Sequence, residues 1–464
     1  MNSFDVSPVA SFVTNSPTPP EHVLTVGRLL LLDTLGALAG GLRYPPVQAL
    51  GRFLGTGDGP AVPCGRTVTL GTAATWLDAD SGGSFHPQGA RLPPVPTAHP
   101  APHVLPVLLH EATRQSVTDE ELVRVFVLAC ETGMRFGVGT TLRPGLHPHG
   151  IHGPVAAAVA ACLLRGHDAR TTARAMELAA SLPLAATLAV PMAGGTVRNV
   201  WTGLGAYYGA SAAGWAASGL PSSAEVLTDL YGVSVCTDLS AEEVGGELGT
   251  RWRILDSYLK PYACARWVHP ALDALQLTLG RLPGGRAEFR EIARIDVETF
   301  AFAASLNSVN PTSDLHARFS VPLSVAAVLL DGHLHAGSYL PGALARPGLR
   351  ALAERVHLVE EPQFSAALPR ERPARVRVQL HDGTAATAEV RAARGNPENP
   401  LSVGEIVTKF AHNVGELLDP GLRDAVTGSL AGEGPPEAAT LRLAANALFT
   451  EMQSITKPSI TPTP

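Results

Sequence analysis

Four separated stretches of the chain each place a histidine, arginine or lysine where a loop is expected to enter a helix. They are residues 98–100, 147–154, 196–199 and 260–270. The first turn of a helix leaves backbone N–H groups unpaired and carries partial positive charge, so carboxylates and phosphates bind there readily. If the fold gathers these stretches, they predict one anion-binding site.

Prolines mark three of these helix starts, because proline is favoured at the first helical position. Each precedes an apolar run with helical spacing: Pro100 or Pro102, Pro154 and Pro270. Arg198 differs, since a cation in the first turn after a Thr196 cap opposes the helix dipole. An anion beside Arg198 would explain its place.

Composition narrows the class of protein. The 464 residues are 45% hydrophobic and only 16% charged, which predicts a globular chain with a large core and favours two domains over one. A net charge of -6 gives no basic field for nucleic acid.

Cysteines and the N-terminus bear on the compartment. The five cysteines lie far apart with no CxxC pair, which argues against a zinc ribbon or a disulfide framework and favours a reducing cytoplasm. The first residues lack the basic start and long apolar run of a signal peptide, so we expect a cytoplasmic protein with no membrane segment.

The spacing of apolar residues along the chain changes near residue 285. Residues 21–265 are dominated by Ala, Leu and Val at helical spacing. Residues 292–304 alternate, and residues 375–393 form two alternating runs around Asp382-Gly383, a strong β-hairpin signal. Helical spacing resumes after residue 402, so the last segment is expected to pack back onto the first.

Six segments in this order resemble the MmgE/PrpD family, which includes 2-methylcitrate dehydratase, cis-aconitate decarboxylase and iminodisuccinate epimerase. They are LDADS (77–81), HP (99–100), GLHPHGIHGPVAAAVAACLLRG (145–166), LKPYACARWVHPALDAL (259–275), ARFSVPLSVAAVLLDG (317–332) and GNPENPLSVGEIVTKF (395–410). The resemblance spans nearly the whole chain. It implies a homodimer that uses no metal and no organic cofactor.

Together with the change in apolar spacing, the resemblance predicts a mostly α fold: a large all-helical domain with a smaller α+β lid domain. The helical domain would comprise residues 1–266 and 403–455, and the lid residues 267–402. Residues 456–464 are expected to form a disordered tail.

Matching the family's motifs residue by residue implies a site. Its catalytic residues would be His147, Asp78, His99 and Lys260, and its substrate-binding residues Arg198, His269, Asp80 and His152. Imidazoles near neutral pH can take a proton from a carbon acid or give one to a leaving hydroxyl.

More than one role is open to Asp78, Asp80 and Lys260 from the sequence. Asp78 and Asp80 can orient an imidazole or bind a substrate hydroxyl, or can lie in a solvated loop, and Ala79 and Ser81 depart from the family's pattern. Lys260 can bind a carboxylate, transfer a proton or lie on the surface.

Other residues are weaker candidates for a functional role. His149 and His152 share the loop of His147 in a spacing reminiscent of a metal site, but no Cys or carboxylate lies nearby in sequence. His86, in the 81–97 insert, is expected to be exposed. Cys264 is read as a packing residue.

The predicted function is a cofactor-independent lyase that removes a proton next to a carboxylate of a small polycarboxylate, as a 2-methylcitrate dehydratase-like hydro-lyase does. Ala265 and Leu323 stand where some relatives have a histidine and a tyrosine, which argues against decarboxylation. An epimerase of a small dicarboxylate and a noncatalytic binding or scaffold protein remain alternatives.

Overall fold

The computed structural model describes residues 4–15, 18–55, 64–84, 87, 89–90, 98–285, 288–432 and 439–456. Helix makes up 58% of it and strand 10%, which confirms the mostly α fold. His86, most of the 81–97 insert and nearly all of the predicted tail lie outside the described residues.

The first part of the chain is helical with two short ribbons. Its helices are α1 Ser7–Asn15, α2 Glu21–Leu42, α3 Pro45–Leu54, α4 Cys64–Trp76, α5 Ala101–Arg114, α6 Asp119–Val138, α7 Gly153–Leu164, α8 Ala169–Ala180, α9 Ala189–Met192, α10 Val197–Ala217, α11 Glu225–Asp229, α12 Ala241–Gly245 and α13 His269–Gly280. The ribbons pair β1 Gly82–Gly83 with β4 Ser257–Tyr258, and β2 Thr140–Leu142 with β3 Cys236–Leu239.

The later part alternates strands with short helices before three longer helices close the chain. Its elements are β5 Ile292–Thr299, α14 Ala301–Ala304, α15 Asp314–Arg318, α16 Val321–Asp331, α17 Pro341–Leu344, α18 Pro347–Ala353, β6 Val356–Glu360, α19 Pro362–Ala366, β7 Ala374–Leu380, β8 Ala385–Val390, α20 Val403–Val414, α21 Pro420–Ala431 and α22 Thr440–Thr456.

Two large hydrophobic clusters organise the described chain. One joins the N-terminal helices to α20, α21 and α22, because α20 and α21 pack on α2 while α22 packs on α3 and α5. The other is built from residues 262–378, where α13 and α16 cover the sheet. Burial of these apolar faces drives the assembly. The exact domain boundaries stay a prediction.

Helix α2 is long and apolar enough to cross a membrane by length and composition. However, 83% of its most apolar window is buried inside the protein, as in the core helix of a globular fold. It also carries Asp33, whose side chain is buried and paired with Lys409.

The four-stranded sheet has the order β6-β5-β7-β8, with β5 and β6 parallel and the other pairs antiparallel. The predicted hairpin is confirmed: β7 and β8 pair around Gly383, whose φ of 91° suits glycine. The strand expected over 292–304 is half right. It ends at Thr299, and α14 follows because Phe300 and Ala303 pack into a small cluster with Phe364.

The proline-marked helix starts are confirmed in α5, α7 and α13. Helix α10 begins at Val197 after Thr196, as expected, but Thr196 makes no side-chain capping bond. The prediction of a threonine cap is therefore wrong, because Thr196 has helical backbone angles rather than the extended ones of a capping residue.

Candidate active site

A cavity of about 340 Å³ lies between the helical segments and the α+β segment. Its helical side, here called the cavity floor, presents five of the predicted residues: Asp78, His99, His147, Arg198 and Lys260. Its other side, here called the cavity wall, comes from within residues 369–372 and 391–398. The fold thus gathers all four predicted stretches around one cavity.

Asp78 is the centre of charge on the floor. It follows α4 with a φ of 48°, a left-handed conformation that Asp tolerates better than most residues. Its Oδ1 accepts hydrogen bonds of 2.8 Å from Arg198 and from Lys260. Burial raises the pKa of Asp78, but Lys260 and then Arg198 outweigh burial and hold it well below its usual range. Asp78 is therefore an ionised counter-ion, not a solvated loop residue.

Lys260 is buried and tied to the same loop, since its Nζ also donates to the Asp78 carbonyl at 2.8 Å. Burial lowers the pKa of Lys260, but Asp78 and Asp80 more than offset it, and the net pKa is raised. The lysine stays charged, which excludes a surface position and disfavours a role as base. Two cations against one carboxylate leave this trio a positive charge for an anionic ligand.

The anion predicted beside Arg198 is thus the carboxylate of Asp78. Arg198 Nη2 bonds Asp78, and Nη1 donates to the Thr75 carbonyl and to Asn199 Oδ1. These bonds fix the guanidinium at the start of α10, where it faces the cavity.

His99 forms a dyad with Asp80. Its Nδ1 lies 3.1 Å from Asp80 Oδ2 and 2.8 Å from the Ser81 carbonyl oxygen. Both partners are acceptors, so Nδ1 carries the proton and Nε2 keeps its lone pair in the neutral ring. His99 is thereby arranged to accept a proton at Nε2.

His147 has the opposite tautomer. Its Nδ1 accepts a hydrogen bond of 3.2 Å from the backbone N–H of His149, which places the proton of the neutral ring on Nε2. Burial, followed by Arg198 and His99, holds the pKa of His147 well below its ordinary value. At neutral pH this ring is uncharged and donates from Nε2.

His103 ties the two histidine segments together and was missed from sequence. Its Nδ1 donates to the His99 carbonyl at 2.8 Å, and its Nε2 accepts from the backbone N–H of Gly150 at 3.2 Å. Burial lowers the pKa of His103 to about 4. His103, on α5, lies four residues after His99, and this spacing was the signal available in the sequence.

Lys409 braces the loop of residues 77–81, here called the acidic loop, and it too was missed. Its Nζ donates to Asp33 Oδ1 at 2.6 Å and to the Ala79 carbonyl at 2.9 Å. Ala79 lies between Asp78 and Asp80, so helix α20, from the last part of the chain, helps to hold the acidic loop. The lysine stands in the quoted motif at 395–410, but no local pattern relates it to Ala79.

The potential metal ligands differ from those expected. Ligand atoms of Asp80, His99 and His149 lie within 4.8 Å of one another. The carboxylate of this group, Asp80, and one of its histidines, His99, come from segments distant in sequence from His149, so the local spacing of residues 147–152 could not indicate it. Arg198 and Lys260 nearby raise the electrostatic cost of adding a divalent cation at this place.

Three predicted substrate-binding residues do not line the cavity. Asp80 is fully buried and orients His99 instead. His152 bonds Thr140 Oγ1 at 2.8 Å and stacks on Tyr231. These contacts turn both side chains away from any ligand.

His269 is the third. It bonds Arg266 through Nδ1 and the Cys264 carbonyl through Nε2, and it is fully buried. Its structural role follows from its place at the start of α13, where it secures the preceding loop.

Among the other side chains that line the cavity are Tyr258 and Arg266, for which no role was predicted. Tyr258 projects from β4, two residues before Lys260, and Arg266 lies within the quoted lysine motif. Arg266 donates to the Arg394 carbonyl at 2.9 Å and to Asn396, so it links the lysine segment to the wall.

Two of the positions that differ from relatives, Ala265 and Leu323, are apolar and packed. Both belong to the second hydrophobic cluster, and so does Cys264. Burial raises the pKa of the Cys264 thiol, which agrees with packing rather than nucleophilic chemistry.

Comparison with known proteins places the chain. The MmgE/PrpD N-terminal domain matches residues 9–239 and the MmgE/PrpD C-terminal domain matches residues 262–427, so the chain belongs to the MmgE/PrpD family. It is similar to cis-aconitate decarboxylase of Aspergillus terreus, with 25% identity over 434 residues that cover 86% of each chain. The protein of that name from strain NIH 2624 / FGSC A1156 matches with the same identity and coverage. The family thus includes lyases.

Proposed function

We propose that this protein is a cofactor-independent lyase that removes a proton next to a carboxylate of a small polycarboxylate, most simply as a 2-methylcitrate dehydratase-like hydro-lyase. The observation that carries the proposal is the pairing of opposite tautomers around one cavity. His99 offers a lone pair, His147 offers an N–H, and the net positive trio of Asp78, Arg198 and Lys260 lies beside them on the floor.

The chemistry follows from these positions. Arg198 and Lys260 bind a substrate carboxylate, which lowers the energy of the negative charge that develops when the adjacent carbon loses its proton. His99 Nε2 accepts that proton, and the resulting imidazolium is stabilised by the Asp80 carboxylate at 3.1 Å. The neutral His147 donates a hydrogen bond to the developing enolate.

Decarboxylation is a second candidate, supported by the similarity to cis-aconitate decarboxylase. Its weak point is that Ala265 and Leu323 provide no hydroxyl or imidazole where some relatives have them. Epimerisation shares the proton-abstraction step and differs only in whether a group departs.

One NMR experiment separates these outcomes. The purified protein is incubated in deuterated water with a panel of di- and tricarboxylates, and exchange at carbon is followed. New alkene signals support the hydro-lyase, loss of carbon dioxide the decarboxylase, and exchange with inversion the epimerase. Complete inertness of the wild type would contradict every enzymatic proposal and favour a binding or scaffold role.

We also propose that the α+β segment closes over the cavity as a lid. Two crossings near residues 260–270 and 395–400 join it to the helical part, and the Leu259 N–H bonds the Gly395 carbonyl at 2.8 Å. Substrate should therefore protect both crossings from hydrogen exchange together. Protection confined to the His147 loop would contradict a lid.

The assembly and location remain proposals as well. A homodimer in the cytoplasm agrees with the family resemblance and with cysteines that are free in the described structure. Light scattering on the purified protein would test the dimer.

A further inference from the structure

Tyr258 occupies a position that only a neighbouring glycine permits. Gly82 and Tyr258 pair across the ribbon of β1 and β4. A Cβ on Gly82 would lie 2.8 Å from the Tyr258 hydroxyl oxygen, 2.8 Å from His99 Nδ1 and 2.5 Å from His99 Cε1. The hydroxyl and the imidazole therefore flank one gap, which any larger residue at position 82 would fill.

The Tyr258 hydroxyl is not used by the fold. The side chain is 8% exposed and lines the cavity, yet none of the described residues forms a hydrogen bond with its oxygen. Other buried tyrosines are bonded: Tyr231 to the Ile151 carbonyl, Tyr262 to Asp273 and Tyr339 to Ser324. Buried tyrosines normally find a partner, so the unpartnered hydroxyl is positioned for a ligand in the cavity.

Nearby charges suit a group that gives up a proton and then regains it. The Arg266 guanidinium lies 5.1 Å from the centre of the Tyr258 ring, and Lys260 also acts on the hydroxyl. Burial raises the pKa of Tyr258, and Asp80 and Asp78 add to this effect, while Lys260 and Arg266 only partly offset it. The hydroxyl thus stays protonated at neutral pH, while both cations stabilise a transient tyrosinate.

We propose that Tyr258 is a further catalytic residue, which donates its hydroxyl proton to the leaving hydroxyl of the substrate. This inference rests on the proposed hydro-lyase function. His99 Nε2 takes the proton from carbon, and the electron pair of the C–H bond forms the new C=C bond. The C–O bond breaks with its electron pair, its oxygen takes the Tyr258 proton, and water leaves. The His99 imidazolium then gives its Nε2 proton to solvent water, and the tyrosinate takes a proton from solvent, so both groups return to their starting states.

A phenylalanine substitution tests the donor cleanly. Tyr258→Phe keeps the ring and loses no hydrogen bond to a described residue, so the variant should fold with an unchanged melting temperature. With the hydroxy acid that the wild type converts, from a panel beginning with malate and citrate, kcat should fall by about 10²-fold or more while KM changes by less than about threefold. Tyr208→Phe, on α10 away from the cavity, should behave as the wild type.

An analogue that needs no proton donor distinguishes donation from positioning. Fluoride leaves without being protonated, so the corresponding fluoro acid, such as fluorosuccinate for malate, should be converted by Tyr258→Phe at nearly the wild-type rate. If both acids react slowly, Tyr258 only positions His99 and the donor role is wrong.

The remaining outcomes separate this inference from the proposed function. Wild-type turnover of the hydroxy acid by Tyr258→Phe would overturn the inference and leave the hydro-lyase standing. A wild-type protein that is inert toward all hydroxy and fluoro acids would overturn both.

Discussion

The floor and the wall of the cavity differ in how firmly the protein holds their charged side chains. Each floor residue is bonded to the protein from at least one side, and Asp78, Arg198 and Lys260 are each only 2% exposed. On the wall, Arg391 pairs with Glu371 and Glu389 at the surface, whereas Arg370 is exposed with no ion-pair partner among the described residues. Bonded, buried groups preserve one geometry for chemistry, whereas exposed cations attract anions without fixing them.

The largest effect is expected from the dyad of the floor. His99→Asn removes the proton acceptor, so the rate of deuterium exchange at carbon should fall by about 10²- to 10⁴-fold. His357→Asn is a matched control, because His357 is exposed on β6 away from the cavity. A folded His99→Asn variant with normal exchange would show that the base lies elsewhere.

The cationic pair of the floor should come next. Lys260→Met leaves Asp78 and Arg198 as a neutral pair, so a substrate carboxylate loses its partner. KM should rise by a factor that corresponds to about 1.5–3 kcal/mol. Arg198→Lys, which keeps the charge, should have a smaller effect than Arg198→Met. If kcat alone collapsed and KM stayed constant, these residues would be catalytic rather than binding groups.

Acid should destabilise the protein through the buried neutral histidines behind the floor. Burial lowers the pKa of His152 to about 3 and that of His103 to about 4, against an unfolded value near 6.5. These groups bind protons only after unfolding, so the stability that they permit is complete above about pH 6.5 and is lost as the pH falls toward the folded values. Each should contribute a slope of about 1.4 kcal/mol per pH unit in that window.

Urea unfolding at pH 7 and pH 5 measures this slope. His152→Gln keeps a donor for Thr140 but cannot be protonated, so its stability should depend less on pH than that of the wild type. An identical pH dependence would mean that His152 is charged in the folded protein.

The smallest effect is expected at the wall. Arg370→Ala should raise KM by only about two- to fivefold, because an exposed charge contributes about 0–1 kcal/mol and is screened by salt. The difference from the wild type should shrink at high salt, and kcat should not change. A large rise in KM that does not depend on salt would instead show that Arg370 binds the substrate as firmly as the floor residues do.

The sequence predicted the floor better than the contacts that support it. Motifs located Asp78, His99, His147, Arg198 and Lys260, because each lies at an element boundary marked by Pro, Gly or a charge. They could not reveal that Asp78 neutralises two cations, since its bonds to Arg198 and Lys260 span 120 and 182 residues. Such pairings depend on how the helices pack.

The fold shows the same division between local and distant signals. The hairpin at Gly383 was predictable because an Asp-Gly turn is local. The end of β5 at Thr299 was not, since Phe300 leaves the alternating pattern to contact Phe364, a residue on α19. His152 and His269 carried the right chemistry in the right motifs, but their neighbours in space use their ring nitrogens.

The bond from Lys409 to the Ala79 carbonyl has a consequence for protein synthesis. A ribosome makes Asp33 and Ala79 early, but the lysine that braces them is separated from them by 376 and 330 residues. Domains generally fold as units once their residues have emerged, at about 5–20 residues per second. The acidic loop of a nascent chain thus waits tens of seconds for its brace, and the apolar face of α2 that α20 later covers stays exposed for the same time. During that interval the growing polypeptide exposes apolar surface of the kind that chaperones bind, and a message truncated before α20 would yield a protein whose acidic loop lacks this brace.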